Sequence, residues 1–144
     1  MARRLAAGAV VLAGLGVAGR LAYPGVRREI RYRMAEREVA AGRLEQAEAR
    51  LDLLIAEEPG RTRPRLLWVR VARRQGRITD AEEALQRAVE LGLPVEEGRR
   101  EHALILAGRD FPAAEGSLRR ALGEHPDDEE VRRALAEGAG RAGR

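Results

Sequence analysis

Residues 41–60 read AGRLEQAEARLDLLIAEEPG, and the same pattern returns as QGRITDAEEALQRAVELGLP at 75–94 and AGRDFPAAEGSLRRALGEHP at 107–126. The alanine at position 47 recurs at 81 and 114, which gives steps of 34 and 33 residues. A period of this length is typical of repeat proteins, whose units bury their apolar faces only by stacking on one another. The sequence therefore predicts one domain of stacked units.

Each version of the pattern carries apolar side chains at helical spacing. In the first version, Leu44, Ala47 and Leu51 are followed by Leu54 and Ile55, which together form one stripe of an amphipathic helix. We expect the recurring small and branched residues to pack neighbouring units together. The predicted packing residues are Ala47, Leu51, Ala81, Leu85, Ala88, Ala114, Leu118 and Ala121.

Glycine and proline mark the boundaries of each version. Gly42, Gly76 and Gly108 precede the three amphipathic helices, and a proline closes each of them. A further candidate helix lies before each glycine, so the predicted unit is a helix, a glycine turn, a second helix and a proline loop. The predicted first helices are 27–41, 63–75 and 95–107, and the predicted units are 28–61, 62–94 and 95–126.

This hairpin, with a small residue after the turn and an apolar residue four positions later, resembles the tetratricopeptide repeat over residues 28–126. The first helices match less closely: Trp68 and Ala72 suit the second unit, whereas Glu38 stands where the family has tyrosine. The resemblance implies an all-α, right-handed α-solenoid of three helical hairpins. It also implies that the first helices line a concave groove that holds a segment of a partner protein.

The end of the chain is predicted to cover the last hairpin. DDEEVRRALAEG, residues 127–138, has acids at its start, a narrow apolar stripe and a final glycine. We expect a C-terminal cap helix there, ending at Gly138 and followed by a frayed tail at 139–144. The repeat domain is accordingly predicted to span 27–138.

The first 26 residues are predicted to be a signal or membrane-anchor segment. Arg3 and Arg4 precede an uncharged run from Leu5 to Gly19, and only Arg20 interrupts the apolar character before Tyr23. This is the layout of a secretory signal or a signal anchor. A single-pass helix at 5–23, retained in a bacterial inner membrane, is the favoured interpretation; a cleaved signal with export, and an apolar helix packed on the domain, are the alternatives. The side of the membrane on which the repeats lie stays open.

The glycines Gly14, Gly16 and Gly19 also spell a dinucleotide-binding fingerprint. That site needs a helix directly after the glycines. Pro24 and Gly25 would stop such a helix after about one turn. A nucleotide-binding enzyme is therefore only a remote alternative.

Charge argues against a nucleic-acid partner. The net charge is +4, but residues 1–28 contain five arginines and no acid, so the remainder is nearly neutral. Duplex binding needs a basic surface on the folded part of a protein. The absence of cysteine also excludes disulfides and thiolate metal sites.

Few residues have side chains that commonly act in catalysis or metal binding. His102 and His125 are the only histidines, and Ser117, the only serine, lies in a predicted helix without a nucleophile motif. We therefore predict no catalytic residue, no metal site, no cofactor and no small-molecule substrate. The chain is interpreted as a non-enzyme.

One stretch stands out by its charge. Residues 61–77 hold seven arginines and no acid, whereas residues 79–97 hold six acids and a single arginine. We predict a basic groove wall for an acidic or extended segment of another protein, since guanidinium groups pair with carboxylates. The groove residues of this hypothesis are Arg63, Leu66, Arg70, Arg73, Arg74 and Arg77. Pairing of the same arginines with acids on adjacent helices is the alternative.

The functional prediction is thus a membrane-tethered module for protein–protein interaction. A subunit permanently docked in a cell-envelope complex is the alternative. Some members of the family that this chain resembles bind the C-terminal carboxylate of chaperones through Lys and Asn side chains. This sequence contains neither residue, which argues against that partner.

Overall fold

The computed structural model describes residues 24–142. Within this range the chain forms seven α-helices and no strand, which confirms the predicted all-α class. The helices are α1 (24–40), α2 (Leu44–Glu57), α3 (Thr62–Arg74), α4 (Ile78–Glu90), α5 (Val95–Arg109), α6 (Phe111–Glu124) and α7 (Glu129–Ala142).

The helices pack in chain order. From α2 onward each helix contacts the next, and α5 also contacts α3 and α7. Contacts limited to neighbours are the mark of a repeat solenoid, in which each unit is stabilised by the unit beside it. The structure is thus a tetratricopeptide-like solenoid of three hairpins followed by α7.

Three apolar clusters form the core, one for each hairpin and its neighbour. The first joins α1 and α2 to α3, the second joins α3 and α4 to Ile105 of α5, and the third joins α5 and α6 to Val131 of α7. Seven of the eight predicted packing residues are buried and Ala121 is partly buried. Trp68 packs against both the first and the second clusters, so it links two units.

The first two glycine turns have the same geometry. Gly42 and Gly76 have φ angles of +73° and +76°, which side chains rarely adopt. Gly42 N–H bonds to the carbonyl of Val39 at 3.1 Å, and Gly76 N–H bonds to that of Arg73 at 3.0 Å. These bonds satisfy carbonyls at the helix C-terminus. Glycine therefore ends the first helix of each of these two units.

The third turn differs from the prediction. Gly108 lies inside α5 rather than in a turn, and the connection to α6 is Asp110 alone. The Asp110 side chain accepts a 3.1 Å hydrogen bond from the backbone N–H of Ala113, so it caps α6 where a glycine was expected. An N-cap residue replaces the left-handed glycine, and the longer α5 makes up for the shorter connection. The step of 33 residues comes instead from α4, which has 13 residues where α2 has 14.

The last helix is longer than predicted. The carboxylate of Asp128 accepts 3.1 Å hydrogen bonds from the backbone N–H groups of Glu130 and Val131, which fixes the start of α7. The expectation that the helix ends at Gly138 is wrong, because α7 continues to Ala142. Gly138 is buried against the ring of Phe111 and serves as a packing position.

The predicted anchor at 5–23 and the glycine fingerprint within it lie outside the described residues. None of the helices between residues 24 and 142 is both long enough and apolar enough to cross a membrane.

Candidate functional site

Arginines of α3 meet acids of α5 and α7 on one face of the solenoid. Arg70 Nε donates a 2.7 Å hydrogen bond to Glu101 of α5. Arg73 and Arg74 both bond to Glu130 Oε1 of α7, at 2.7 Å and 3.0 Å. We call the surface formed by these three helices the α3–α5–α7 face.

Glu101 is the centre of this ion network. Its side chain is completely buried, at 0% exposure, although a charged group loses much solvation energy on burial. Arg70 and Arg100 both hold its Oε1 atom, at 2.7 Å and 2.6 Å. Its Oε2 atom has no hydrogen-bond partner among the described residues, and Arg73 lies 3.7 Å from it.

Two acids at the beginning of α7, Asp128 and Glu130, complete the network and are held in their charged form. Burial by itself would raise the pKa of Glu130, but hydrogen bonds and charges from Arg73 and Arg74 outweigh it and lower this pKa to about 2. A hydrogen bond from Arg100 is the main cause that lowers the pKa of Asp128. Burial acts to lower the pKa of Arg100, but its bonds to Asp128 and the nearby acids raise that pKa.

The other predicted groove residues lie apart from this network. The guanidinium of Arg63 stacks 4.1 Å from the centre of the Tyr32 ring and pairs with Glu29 of α1 at 3.3 Å. Arg77 lies 5.1 Å from the Trp68 ring and bonds to acids of α2 and α4. Leu66 is only 6% exposed and packs in the second apolar cluster. The structure therefore brings together Arg70, Arg73 and Arg74 only. Whether these residues bind a partner stays a prediction.

A cavity of about 340 Å³ opens beside the network, between the C-terminal halves of α3 and α5 and the length of α7. Ile78, Leu104 and Ala134 give it an apolar wall. Its charged lining consists of Arg73, Arg74, Arg133 and Arg141 with Glu130 and Glu137. Within residues 24–142, the Arg133 side chain makes no ion pair, and Arg141 bonds only to the backbone carbonyl of Glu137. We call this the arginine cavity.

A larger cleft of about 820 Å³ lies elsewhere, between α4, the start of α5, and α6. His102, Ser117 and His125 line this cleft, so the residue types that sequence analysis singled out come together there. Over the described part of the chain, no group of three or more potential ligands is placed to hold a metal ion.

The network was partly hidden from sequence analysis. Glu101 lies in the helix before the third turn, where the spacing gave no hint that a carboxylate enters the core. Glu130 follows Arg73 by 57 residues, and the contact depends on how α7 crosses the solenoid. The excess of arginine in 61–77 was the one signal, since so many cations need partners.

Comparison with known proteins agrees with this architecture. A sequence profile of the tetratricopeptide repeat matches residues 38–92, from the end of α1 through α4. This stretch of the chain is therefore similar to the tetratricopeptide repeat family. The resemblance recognised in the sequence is thereby confirmed over these residues.

A solved structure supports the same fold. The first tetratricopeptide repeat domain of Spaghetti (RPAP3), bound to the HSP90 peptide SRMEEVD, superposes with a TM-score of 0.58 over 81% of this chain and 94% of that chain. The two sequences are 13% identical, so the likeness shows the fold alone. A comparison with curated proteins found no match.

Proposed function

We propose that this protein binds an acidic segment of a partner protein at the arginine cavity. The observation that carries the proposal is the charge balance of the lining, four arginines against two glutamates, with Arg133 left without a carboxylate. A guanidinium group binds a carboxylate through paired, charge-assisted hydrogen bonds. The cavity therefore favours a partner that brings carboxylates.

The apolar wall adds a second requirement on the partner. Leu104 and Ala134 lie beside the arginines, so a segment that alternates acidic and apolar side chains satisfies both parts of the lining. The ion pair of Glu130 with Arg73 is an intramolecular version of the contact that we propose for the partner. Peptide binding by this fold is supported by the RPAP3 domain, whose peptide SRMEEVD is itself acidic.

We further propose that residues 5–23 anchor the module in a bacterial inner membrane. Their charge-poor sequence, with arginines at both ends, supports this location. Tethering raises the effective concentration of the module toward partners on the same membrane. The function is passive: the module binds a partner and holds it near the bilayer, without catalysis.

The binding proposal is tested by titrating the full-length chain, in detergent, into two labelled peptides. One peptide alternates Glu and Leu, and the other alternates Lys and Leu. We expect only the acidic peptide to bind, with an affinity that falls as salt is raised. Arg133→Gln with Arg141→Gln is expected to weaken binding by about tenfold or more, because each lost charge-assisted hydrogen bond contributes roughly 1.5–3 kcal/mol.

A matched double variant controls for the loss of charge. Arg87→Gln with Arg119→Gln removes two arginines that are 60% and 71% exposed and lie on α4 and α6, away from the cavity. This variant should bind the acidic peptide as the wild type does. Equal weakening by both double variants, or equal binding of both peptides, would contradict the proposal.

Location requires a separate experiment. Membrane fractionation with protease digestion of intact cells distinguishes a retained anchor from an exported product and gives the side of the repeats. A chain that stays in the membrane pellet after carbonate washing supports the anchor, and a soluble, shortened chain contradicts it. A partner that always co-purifies at fixed stoichiometry would favour the docked envelope subunit over exchangeable binding.

A further inference from the structure

The outward side of α1 is apolar. Val26, Ile30 and Met34 are 55%, 54% and 40% exposed, and their spacing of four residues places them on one side of the helix. Tyr32 and Ala35, which enter the first core cluster, lie on the opposite side. The exposed residues therefore form a surface that the first hairpin does not use.

An apolar surface at this position needs an explanation. The end of a solenoid is normally covered by polar side chains, because no further unit follows it. Helical spacing also places Arg33 and Arg37 on the same side of α1 as Ile30; Arg33 pairs with Glu29 and Glu36, whereas Arg37 makes no ion pair within residues 24–142. The outer α1 face, as we call it, is therefore both apolar and basic.

The cleft between α4, α5 and α6 has the complementary character. Val89 and Val95, which are 53% and 64% exposed, lie in its lining with the side chain of Leu85. Gly98 leaves space there, since a Cβ atom on it would lie 3.4 Å from Val89 Cγ2. The charged lining consists of the acids Glu82, Glu90, Glu96, Glu97, Glu124 and Asp128 and the arginines Arg99, Arg100 and Arg120.

Acids outnumber arginines in this lining by two to one. Among residues 24–142, Glu97 and Glu124 make no ion pair, and of the three arginines only Arg120 is also unpaired, so an excess of acid remains for a cation from outside. We call this surface the acidic cleft. Its volume of about 820 Å³ and its apolar floor suit an inserted helix face that carries arginines.

We propose that the outer α1 face of one copy docks into the acidic cleft of a second copy. The contact joins two different surfaces, so it repeats from copy to copy and produces an open row rather than a closed dimer. The apolar side chains of α1 enter the cleft, and Arg37 lies against its unpaired acids. This contact is independent of the arginine cavity, and neither proposal requires the other.

Cysteine cross-linking tests the contact directly, because the natural chain contains no cysteine. Two differently tagged full-length chains in detergent carry Ile30→Cys and Val89→Cys, and a short bismaleimide links thiols that lie close together. Docking should raise the yield of the mixed adduct about tenfold or more above that of a control pair, since it raises the effective thiol concentration. The control pair replaces Ile30→Cys with Leu53→Cys, at a 60% exposed leucine of α2.

Charge reversal in the cleft provides a second, independent test. Glu97→Arg, added to the Val89→Cys chain, should reduce the mixed adduct to the control yield by placing a cation opposite Arg37. Glu83→Arg makes the same charge change on α4 at an exposed residue outside the cleft, and it should leave the yield unchanged. Circular dichroism of each variant shows whether it is folded, and only folded variants are compared.

The outcomes are decisive in both directions. A mixed adduct that depends on Glu97 and exceeds the Leu53→Cys control supports the proposal. A strong Ile30→Cys self-adduct would indicate a symmetric α1–α1 dimer and would overturn it. A yield equal to the control, together with a monomeric mass at every concentration, would also overturn it.

Discussion

Arg73 of α3 donates a 2.7 Å hydrogen bond to Glu130 of α7, which joins the middle hairpin to the C-terminal helix across α5. Arg74 bonds to the same oxygen, and Arg100 of α5 bonds to the other at 3.2 Å. A single carboxylate of α7 thus holds α3 and α5, which belong to two different units, against α7. The attachment of α7, which also forms a wall of the arginine cavity, therefore depends on this network.

Glu130→Gln should destabilise the protein. The substitution keeps the side-chain shape but leaves three arginines facing one another without their shared anion. We expect the free energy of unfolding in urea to fall by roughly 1–3 kcal/mol. Glu129→Gln is the control, because Glu129 is exposed, lies next in the same helix and makes no ion pair within residues 24–142. Equal effects of the two substitutions would show that the network contributes nothing.

Stability should fall in acid because of the same residue. The pKa of Glu130 is about 2 in the folded protein and close to 4.5 when the chain is unfolded. Its contribution is therefore complete above about pH 5 and is lost as the pH falls toward 2, with a size of roughly 3 kcal/mol. Urea unfolding of the wild type across this range should show the loss, and Glu130→Gln should show a smaller one. Parallel pH profiles would contradict the assigned pKa.

Glu101→Leu should be more damaging than loss of an exposed acid. Burial of this carboxylate is compensated by Arg70 and Arg100, so its removal leaves Arg70 partly buried without an anionic partner, while Arg100 keeps Asp128 and Glu130. Breaking a buried pair on one side costs about 3–5 kcal/mol. Glu96→Leu in the same helix removes a surface pair, which contributes about 0–1 kcal/mol. Thermal unfolding of the two variants measures the difference, and similar melting temperatures would count against a structural role for Glu101.

Alanine at two glycines of α7 should have opposite effects. Either substitution favours a helix by up to about 1 kcal/mol. A Cβ atom at Gly138, however, would overlap the ring of Phe111, whereas nothing lies within 4 Å of one at Gly140. We expect Gly140→Ala to stabilise the protein and Gly138→Ala to destabilise it by about 1–3 kcal/mol. Stabilisation by both, measured by urea unfolding, would mean that α6 and α7 do not pack as described.

Much of the fold follows from local sequence. Helical spacing and the recurring alanines define the hairpins, and Gly42 and Gly76 do adopt the left-handed turn that their positions suggest. Gly108 misled the interpretation because a capping aspartate, Asp110, provides the third turn instead. Gly138 misled it because a glycine that packs under a ring looks, in sequence, like a glycine that ends a helix.

The candidate site was less accessible from sequence. An arginine-rich first helix is visible as composition, but its partners depend on tertiary geometry. Glu101 is separated from Arg70 by 31 residues and Glu130 from Arg73 by 57, so neither pair has a local signal. Arg133 lay in the predicted cap helix and Arg141 in the predicted frayed tail, and nothing in the sequence indicated that both line the arginine cavity.

The central claim is that a partner segment rich in acids binds at the arginine cavity, and site-specific photo-cross-linking tests it most directly. A photoreactive residue is placed at Glu137, which lines the cavity, in the full-length chain in its native cells, with position 53 as the control. We predict a discrete adduct from position 137 alone, and mass spectrometry should locate the link in an acidic segment of the partner. Adducts of equal yield from both positions, or a link in a basic segment, would contradict the claim.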